Sequence, residues 1–337
     1  MVFCDWLSIY QVHMFDVPVV NDGRVFSVDQ DGVVKWEVGT KVVHRGSHDT
    51  KLRISSDGNR VTLEGNIGRF NRSDNLFGYT VRECVQLANR VLACFGLPPF
   101  TDAAPAPLVG PAGKDCGYQA SGAVLTRVDL TCNWMTGSAG NASQFMRHLQ
   151  GFKAGKFEPR PYYTTGVSWG EGSKYWYAKV YDKAADYIRH HGPGSAEHDP
   201  VLYDYILNAG IARHEITLKS RYLKQNNLWR FSLWVDGMEN KVYALFSDPI
   251  RQSVPVDEYL EIKGRAGELA VAWRDGADLK KRLSHNTFYR YRRELLKYGI
   301  DIAVPPNVTR LKTRVDVITV SPASVPSWYV LPQVDVA

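Results

Sequence analysis

Two segments of the chain, far apart in the sequence, carry an arginine, an acid and a threonine at every other position. The positions are Arg127, Asp129 and Thr131 in the segment LTRVDLT, and Arg213, Glu215 and Thr217 in the segment IARHEITL. Side chains two residues apart in a β-strand point to the same face of the sheet. If the two strands are neighbours in one sheet, the two carboxylates therefore approach each other on one polar face.

Two ionised carboxylates that face each other favour a bound cation. Oxygen ligands of this kind prefer Mg²⁺ or Mn²⁺ to zinc, so the pattern predicts that Asp129 and Glu215 hold such an ion. Glu64, in the strand-like segment VTLEGN, is a third candidate ligand. The alternative is that each arginine neutralises its neighbouring acid on a solvated sheet face, and that Glu64 is an ordinary surface residue.

A third strand-like segment, KYWYAKVYDK, supplies a candidate nucleophile. Its alternate positions, which share one face, are Tyr175, Tyr177, Lys179 and Tyr181. A phenol, with an ordinary pKa of ~10, attacks poorly until a neighbouring group removes or stabilises its proton. A divalent cation and Lys183 could do this for Tyr181, and the cation would also polarise a phosphate ester. The alternative is that the tyrosines only reflect β-strand propensity, an interpretation that we adopt for Tyr175 and Tyr177.

The segment from 279 to 302 predicts a basic amphipathic helix that runs from about Asn286 to Gly299. The basic stripe along this helix is Arg290, Arg293 and Lys297, and the apolar stripe is Phe288, Tyr291 and Leu295. A short helix, a turn and a helix with two such faces is the arrangement with which a helix-turn-helix docks on DNA. We therefore predict that the basic stripe binds DNA; a solvated amphipathic helix is the alternative.

Composition and charge limit the class of protein. The chain has 337 residues, a formal net charge of +6 and a pI of about 8.9, which permits a polyanionic partner without requiring one. Its hydrophobic fraction of 44% argues against disorder, and no apolar run reaches the ~18–20 residues of a membrane span. The first residues, with an acid at Asp5 and no basic stretch, do not resemble a signal peptide. We expect a soluble cytoplasmic protein with no membrane partner.

The cysteines and histidines show no metal-binding motif. The five cysteines include no Cys-x-x-Cys pair, so neither a disulfide framework nor a structural zinc site is indicated. The nine histidines form neither a HExxH motif nor a histidine–hydrophobic–histidine motif. Reduced thiols in or near the core are the expected state.

The order of predicted elements indicates an α+β fold with a largely antiparallel central sheet. The first 80 residues alternate like strands, and a helix with a capping box at Thr80 and Glu83 follows. Residues 98–117 are rich in proline, alanine and glycine, which predicts a mobile loop or a boundary within the domain. The elements divide into a domain at 1–250, which holds the candidate site, and a basic, mainly helical DNA-binding region at 251–337 with an extended run near 312–320.

These residues resemble the gene II replication initiators of filamentous bacteriophages, and the resemblance runs nearly end to end. The segments that carry it, in order, are DNLFG (74–78), LTRVDLT (125–131), VSWGEGSKYWYAKVYDK (167–183), ARHEITLKSRYLK (212–224), HNTFYRYRRELLKYGI (285–300) and SWY (327–329). Each segment is a weak signal alone, and their shared order makes the match specific.

The resemblance implies an enzyme that nicks the double-stranded replicative form at the plus-strand origin. Tyr181 would attack the phosphodiester and hold the 5′ end as a phosphotyrosine, and the free 3′-hydroxyl would prime rolling-circle synthesis with host helicase and polymerase. The same protein would later rejoin the displaced single strand into a circle. Because the covalent link conserves the energy of the broken bond, rejoining would need no ATP.

The resemblance also implies roles for the neighbouring residues. Asp129 and Glu215 would hold the metal, with carboxylates in place of the paired histidines typical of the wider rolling-circle nuclease superfamily. Lys183 would steady the developing charge, and Lys179 would contact DNA. The arginines of the repeated pattern, Arg127 and Arg213, would orient the carboxylates or contact phosphate. The superfamily further implies a central antiparallel sheet with helices packed on one side.

Two other functions use the same features. A non-catalytic regulator that binds the origin or single strands would keep the basic helix and use the aromatic strand as a stacking platform. A metal-dependent hydrolytic nuclease would use the same carboxylates with water as the nucleophile. The sequence leaves open whether a second tyrosine, Tyr177 or Tyr187, acts in joining.

Overall fold

The computed structural model describes residues 1–103, 106–109, 113, 115–119, 122–253, 262, 264–274, 276–296, 300–303, 320–332 and 334. The chain divides into two units, Met1–Arg251 with Val320–Ala337 and Gln252–Thr319. The predicted boundary at 250 lies next to this division. The predicted extent of the second part is wrong at its end, because the last residues of the chain return to the first unit.

The first unit is built on one large sheet. The strands are β1 (Val2–Val12), β2 (Arg24–Val28), β3 (Val34–Gly39), β4 (Val42–Arg45), β5 (Lys51–Ser56), β6 (Arg60–Gly65), β7 (Ala106–Val109), β8 (Asp115–Gln119), β9 (Val124–Met135), β10 (Arg160–Pro161), β11 (Gly166–Trp169), β12 (Trp176–Asp182), β13 (Ile211–Lys219) and β14 (Ser321–Pro322). Within the large sheet, the order of the described strands is β10-β11-β12-β13-β9-β1-β6-β5-β4, and β14 also lies beside β9. All of these neighbours pair antiparallel. Together with the helices, this sheet confirms the predicted α+β class.

Helical periodicity in the sequence corresponds to helices in the structure. The described helices are α1 (Val81–Cys94), α2 (Ala139–Leu149), α3 (Lys183–His191), α4 (Pro200–Asn208), α5 (Ser220–Gln225), α6 (Met238–Ser253), α7 (Arg265–Arg274), α8 (Leu279–Arg282) and α9 (His285–Leu296). The predicted capping box before α1 is present: the Thr80 side chain accepts from the Glu83 N–H, and the Glu83 carboxylate accepts from the Thr80 N–H. Such a cap contributes about 1 kcal/mol and fixes where the helix begins.

The connector at 98–117 is more than a loop. β7 and β8 pair with each other there, whereas the composition predicts a mobile loop. Strands of four and five residues in a proline- and glycine-rich stretch are too short to show a clear alternation. The pattern alone therefore could not reveal them.

The central strands β9 and β13 are buried on both faces. Val128, Leu130, Ile216 and Leu218 are fully buried on one face, as the alternation predicts. The opposite face carries the repeated arginine, acid and threonine pattern, and Thr131 is fully buried there as well. This face is therefore largely buried rather than solvated, although each arginine does pair with the acid of its own strand, as the alternative to a site predicts.

Residues 74–78 and the C-terminal tail help to cover this polar face. The Arg213 guanidinium donates from Nη1 to Asn75 Oδ1 at 2.9 Å. In the tail, the Tyr329 hydroxyl donates to Asp74 Oδ1 at 2.5 Å. Two segments that carry the family resemblance, DNLFG and SWY, therefore contact each other beside the site.

The helix α9, in the second unit, has the two faces that its sequence predicts. Phe288 and Leu295 are buried in a core shared with α7 and α8, while Arg290 and Arg293 are exposed. Lys297, and residues 312–319 of the predicted extended run, lie outside the described residues. None of the described helices is long and apolar enough to cross a membrane.

Candidate active site

Sheet pairing brings the three strands with candidate residues together in the order β12-β13-β9. Lys179 lies opposite Glu215 across β12 and β13. Thr131 lies opposite Glu215 across β13 and β9, and Asp129 is two residues further along β9. The two acids are therefore diagonal neighbours on one face, a spacing of roughly 7–8 Å. The prediction that the two strands are neighbours and place both acids on one face is confirmed.

Tyr181 lies near the end of β12 with its phenol buried against Glu215. Only 6% of the residue is exposed, and its O–H donates to Glu215 Oε1 at 2.5 Å. Burial raises the pKa of the Tyr181 phenol well above its ordinary value, and the charge of Glu215 raises it further. At neutral pH the phenol therefore keeps its proton and points it at a carboxylate oxygen.

Glu215 is an ionised carboxylate held in place by cations. Burial opposes its ionisation, but Lys179 and Arg213 lower the pKa of Glu215 below its ordinary value. Lys179 Nζ lies 2.9 Å from Glu215 Oε2. Although burial disfavours a charged lysine, the carboxylate raises the pKa of Lys179 above its ordinary value. A phenol, a carboxylate and an ammonium group are thus in contact in that order, which is the arrangement of a nucleophile, a base and a group that orients the base.

Asp129 is held by its own strand neighbour. Arg127 donates to its two carboxylate oxygens, from Nε at 2.8 Å and from Nη2 at 2.6 Å, which is a bidentate pair. Burial nevertheless raises the pKa of Asp129 to about 6, and the charges of Asp5 and Glu215 act in the same direction. The Asp129 carboxylate therefore takes up a proton at a higher pH than an ordinary aspartate does. Arg127 orients this acid, as the resemblance implies.

A third acid, Asp5, lies near the site and was missed by the sequence reasoning. The pairing of β1 with β9 shifts between Cys4 and Trp6, so Asp5 occupies a bulge. Its Oδ1 accepts hydrogen bonds from the side-chain amides of Asn66 and Asn75, each at 3.1 Å. A bulge redirects a side chain in a way that strict alternation does not predict. The available signal was an acid within an otherwise mostly apolar strand.

A cavity of about 290 Å³ opens beside the Tyr181 phenol. Among the candidate-site residues that line this cavity are Tyr181, Glu215, Lys179, Lys183 and Asp5. Asp129 is not among the described residues that line this cavity. A group that enters this cavity therefore meets the phenol and both lysines, whereas Asp129 lies outside the described lining.

Lys183 begins α3 directly after the strand that carries Tyr181. Its Nζ donates to Asp186 Oδ2 at 2.9 Å. Burial lowers the pKa of Lys183, and the positive charge of Arg213 lowers it further. Lys183 is therefore a cation in the cavity that releases its proton more readily than a solvated lysine does.

Glu64 does not join the two acids. It lies on β6, which β1 separates from β9, so it is roughly 10 Å from β9 at the spacing of adjacent strands. Its carboxylate pairs instead with Lys41 at 2.7 Å and Arg53 at 3.7 Å. The prediction that Glu64 completes the ligand set is wrong, because alternation places a side chain on a face but does not fix the order of strands.

Arg213 has no surface with which to contact DNA. The residue is fully buried, and its Nε lies 3.7 Å from Glu215 Oε1. Its predicted contact with phosphate is therefore wrong, and the alternative role, orienting the carboxylate, fits the structure.

The two tyrosines considered for the joining step differ in their surroundings. Tyr187 is buried, and its hydroxyl accepts from the Asp199 N–H at 2.7 Å, next to the start of α4. Tyr177 is half-buried on β12. Tyr187 lines the cavity and Tyr177 is not among the described lining residues, so Tyr187 has the shorter route to substrate but a hydroxyl already bound to backbone.

Mg²⁺ and Mn²⁺ prefer carboxylate oxygens of this kind, but both acids already have a cationic partner, Arg127 at Asp129 and Lys179 at Glu215. The Thr131 hydroxyl is buried beside them and has no hydrogen-bond partner among the described residues, which leaves an oxygen free to bind. Within the described part of the chain, no group of three or more histidines, cysteines or acids could hold a metal. A cation here would therefore depend on Asp129, Glu215, Thr131 and DNA.

The fold and the site define an α+β protein in which a tyrosine, a glutamate and a lysine form one buried cluster. The family model for the N-terminal part of the phage gene II replication-associated protein matches residues 3–237, and the model for the C-terminal part of the same protein matches residues 265–334. The chain therefore belongs to the gene II replication-associated protein family. This match confirms the resemblance to gene II initiators that the motifs indicate.

Two relatives match most of the chain. It is 28% identical over 320 residues to the gene II replication-associated protein of Escherichia phage If1, covering 83% of this chain and 98% of that one. It is 25% identical over an alignment of 348 residues to the gene II replication-associated protein of Enterobacteria phage I2-2, covering 96% of each. The structure of a rolling circle replication initiator protein from Geobacillus stearothermophilus matches 67% of this chain and 78% of that chain at 11% identity. Its TM-score of 0.28 is too low to inform fold or function.

Proposed function

We propose that this chain initiates rolling-circle replication by nicking one strand of a circular phage DNA at its origin, and that it later rejoins that strand. Membership of the gene II replication-associated protein family supports a role in replication. The contact of 2.5 Å between the Tyr181 O–H and Glu215 Oε1 carries the proposal, because it provides a nucleophile and its base in one cavity.

The proposed chemistry is a transesterification at phosphorus. Glu215 accepts the phenol proton while the Tyr181 oxygen attacks, and the bond from phosphorus to the 3′-oxygen breaks. Lys183, whose pKa is lowered by burial, donates a proton to the leaving 3′-oxygen. The 5′ end stays on the tyrosine and the 3′-hydroxyl primes synthesis. In joining, a 3′-hydroxyl attacks the phosphotyrosine and the phenol regains its proton.

A divalent cation, Mg²⁺ or Mn²⁺, is part of this proposal. Asp129, Glu215 and the Thr131 hydroxyl would hold it, and its charge would offset that of the phosphate under attack. Arg127 leaves 42% of its side chain exposed and would contact a phosphate nearby on the DNA backbone. Lys179 lines the cavity and would bind the phosphate under attack.

The proposed partners follow from the two steps. Nicking acts on the double-stranded replicative form, and joining acts on the displaced single plus strand. Host helicase and polymerase would unwind and extend the nicked DNA, in the cytoplasm of the bacterial host. A replication-associated family supports this setting.

Covalent capture tests the proposed function. The protein incubated with supercoiled replicative-form DNA, labelled in the origin strand, should become labelled. Mass spectrometry of its peptides should then find the nucleotide on Tyr181. Cleaved DNA without labelled protein would support the hydrolytic nuclease, because water would be the nucleophile. Binding without any cleavage would support the non-catalytic regulator.

The double substitution Arg290→Ala with Arg293→Ala should weaken binding to duplex origin DNA. Both side chains are exposed on α9, so their loss leaves the buried Phe288 and Leu295 in place. The loss of two phosphate contacts should reduce the slope of log affinity against log salt by about 1.8. Fluorescence anisotropy over a series of salt concentrations measures both effects.

The matched control for this double variant removes the same charge elsewhere. Arg24 and Lys35 are exposed on the hairpin of β2 and β3, and alanine at both positions should leave the salt slope almost unchanged. An equal change of slope in the two double variants would show that net charge, rather than the face of α9, determines binding.

A further inference from the structure

Two adjacent tyrosines line the Tyr181 cavity from its exposed side. Tyr162 and Tyr163 lie in the turn between β10 and β11, and both line the cavity. Tyr163 is 64% exposed, and its φ of 50° lies in the left-handed region that residues with side chains rarely adopt. Strained backbone that presents a large ring to solvent at such a cavity indicates a ligand-binding role.

The aromatic rings continue from this turn to the candidate nucleophile. The ring centroids of Tyr163 and Tyr162 are 4.7 Å apart, and those of Tyr162 and Tyr181 are 5.5 Å apart. Both distances lie within the range of direct contact between aromatic rings. The three rings therefore form a continuous row from the surface to the buried phenol.

Gly166 allows this turn to approach Tyr181 closely. It pairs with Tyr181 across β11 and β12, and a Cβ at this position would lie 2.8 Å from both the Tyr181 Cβ and the Val180 carbonyl oxygen. Any other residue would push β11 away from β12. The position of the two tyrosines beside the nucleophile therefore depends on this glycine.

Cations lie over the faces of these rings. Arg189 Cζ is 4.0 Å from the Tyr163 centroid, and Lys179 Nζ is 4.8 Å from the Tyr162 centroid. Arg69 also lines the cavity, and its buried Nε has no hydrogen-bond partner within the described part of the chain. Sites for single-stranded nucleic acid have this composition, because bases stack on rings while phosphates pair with cations.

We propose that Tyr163, supported by Tyr162 and Arg189, stacks an unpaired base of the DNA strand next to the phosphate that Tyr181 attacks. The place of this base relative to the phosphate rests on the proposed function, whereas binding of the base does not require cleavage. A base within a duplex is already stacked on both sides, so the subsite selects melted, single-stranded DNA.

Two fluorescent probes of equal length test the subsite: a short oligothymidylate and an oligomer of the same length made of abasic deoxyribose phosphates. Both carry the same charge, and only the first carries bases. Tyr163→Ala should weaken binding of oligothymidylate by roughly 10- to 100-fold and leave binding of the abasic oligomer unchanged. Tyr163→Trp should keep the preference for bases, because an indole ring also stacks.

Tyr175→Ala is the matched control. Tyr175 is 43% exposed in the same unit and is not among the described residues that line the cavity, so this variant should bind both probes like the parent. Parental binding of both probes by Tyr163→Ala, or an equal loss for both, would overturn the proposal. Tyr181→Phe separates the two proposals: a preference for bases that survives in this variant supports the subsite whether or not Tyr181 is the nucleophile.

Discussion

Tyr181→Phe is expected to lower the single-turnover rate of nicking by about three orders of magnitude or more. The substitution removes only the hydroxyl that we propose attacks phosphorus, while the ring can keep its contact with Tyr162. Glu215 keeps its ion pair with Lys179, so its charge stays compensated. DNA binding should therefore be unchanged. Conversion of supercoiled to open-circular DNA measures the nicking rate. The band of protein that carries labelled DNA on a denaturing gel should be lost in Tyr181→Phe in parallel.

Tyr243→Phe is the control for loss of a buried phenol hydroxyl. Tyr243 is buried and its hydroxyl bonds to His214 Nδ1 at 2.7 Å, on the opposite face of β13 from Glu215. This variant should nick at the parental rate and lose about 1 kcal/mol of unfolding free energy. If Tyr181→Phe still nicks and forms the covalent adduct, another residue must be the nucleophile.

The faces of the central strands could be predicted from sequence because a strand has a fixed period of two residues. That period placed Asp129, Glu215 and Tyr181 correctly on one face. Their proximity depends in addition on the order of strands, which residues far apart in the chain decide. Glu64 shows this limit: it alternates like a ligand but lies two strands from Asp129.

The two arginines of the repeated pattern show what local sequence leaves undetermined. Arg127 is partly exposed and donates two hydrogen bonds to Asp129. Arg213 is fully buried, and residue 75 covers it. The same three-residue pattern thus has two environments, because the segments that cover a sheet come from elsewhere in the chain.

Asp5 was missed for a third physical reason. The sequence of its strand is largely apolar. In a regular register, Asp5 would pair with β9 as its neighbours do. The shift between Cys4 and Trp6 leaves it in a bulge instead, where it lines the cavity. A bulge depends on the partner strand as much as on its own sequence, so a single strand pattern does not reveal it.

Glu215→Gln is expected to slow nicking by about 10²- to 10⁴-fold. The amide can still accept the hydrogen bond from Tyr181, but it cannot take the proton during attack. The variant also leaves Lys179 and Arg213 without their shared counter-charge, so the unfolding free energy should fall by about 3–5 kcal/mol. Single-turnover rates and thermal unfolding measure these two effects separately, at a temperature where the variant is folded.

The pH dependence of stability gives this substitution a further signature. Because the pKa of Glu215 is lowered by folding, its stabilising contribution is fully present above the unfolded pKa, about 4.3. It is lost as the pH falls through the lower folded value. The difference in unfolding free energy between the parent and Glu215→Gln should therefore be constant near neutral pH and shrink in acid.

Glu239→Gln separates the loss of a buried charge from the loss of a base. Glu239 is buried and accepts from the Val81 N–H at 2.9 Å, and it is not among the described residues that line the cavity. The Glu239→Gln variant should be less stable than the parent but nick at the parental rate. If excess Mg²⁺ or Mn²⁺ restores nicking by Glu215→Gln, the slower rate comes from weaker cation binding, and the proposed role of Glu215 as the base is wrong. If Glu215→Gln nicks at the parental rate without excess metal, Glu215 is neither the base nor a metal ligand. Tyr181 would then need a different proton acceptor.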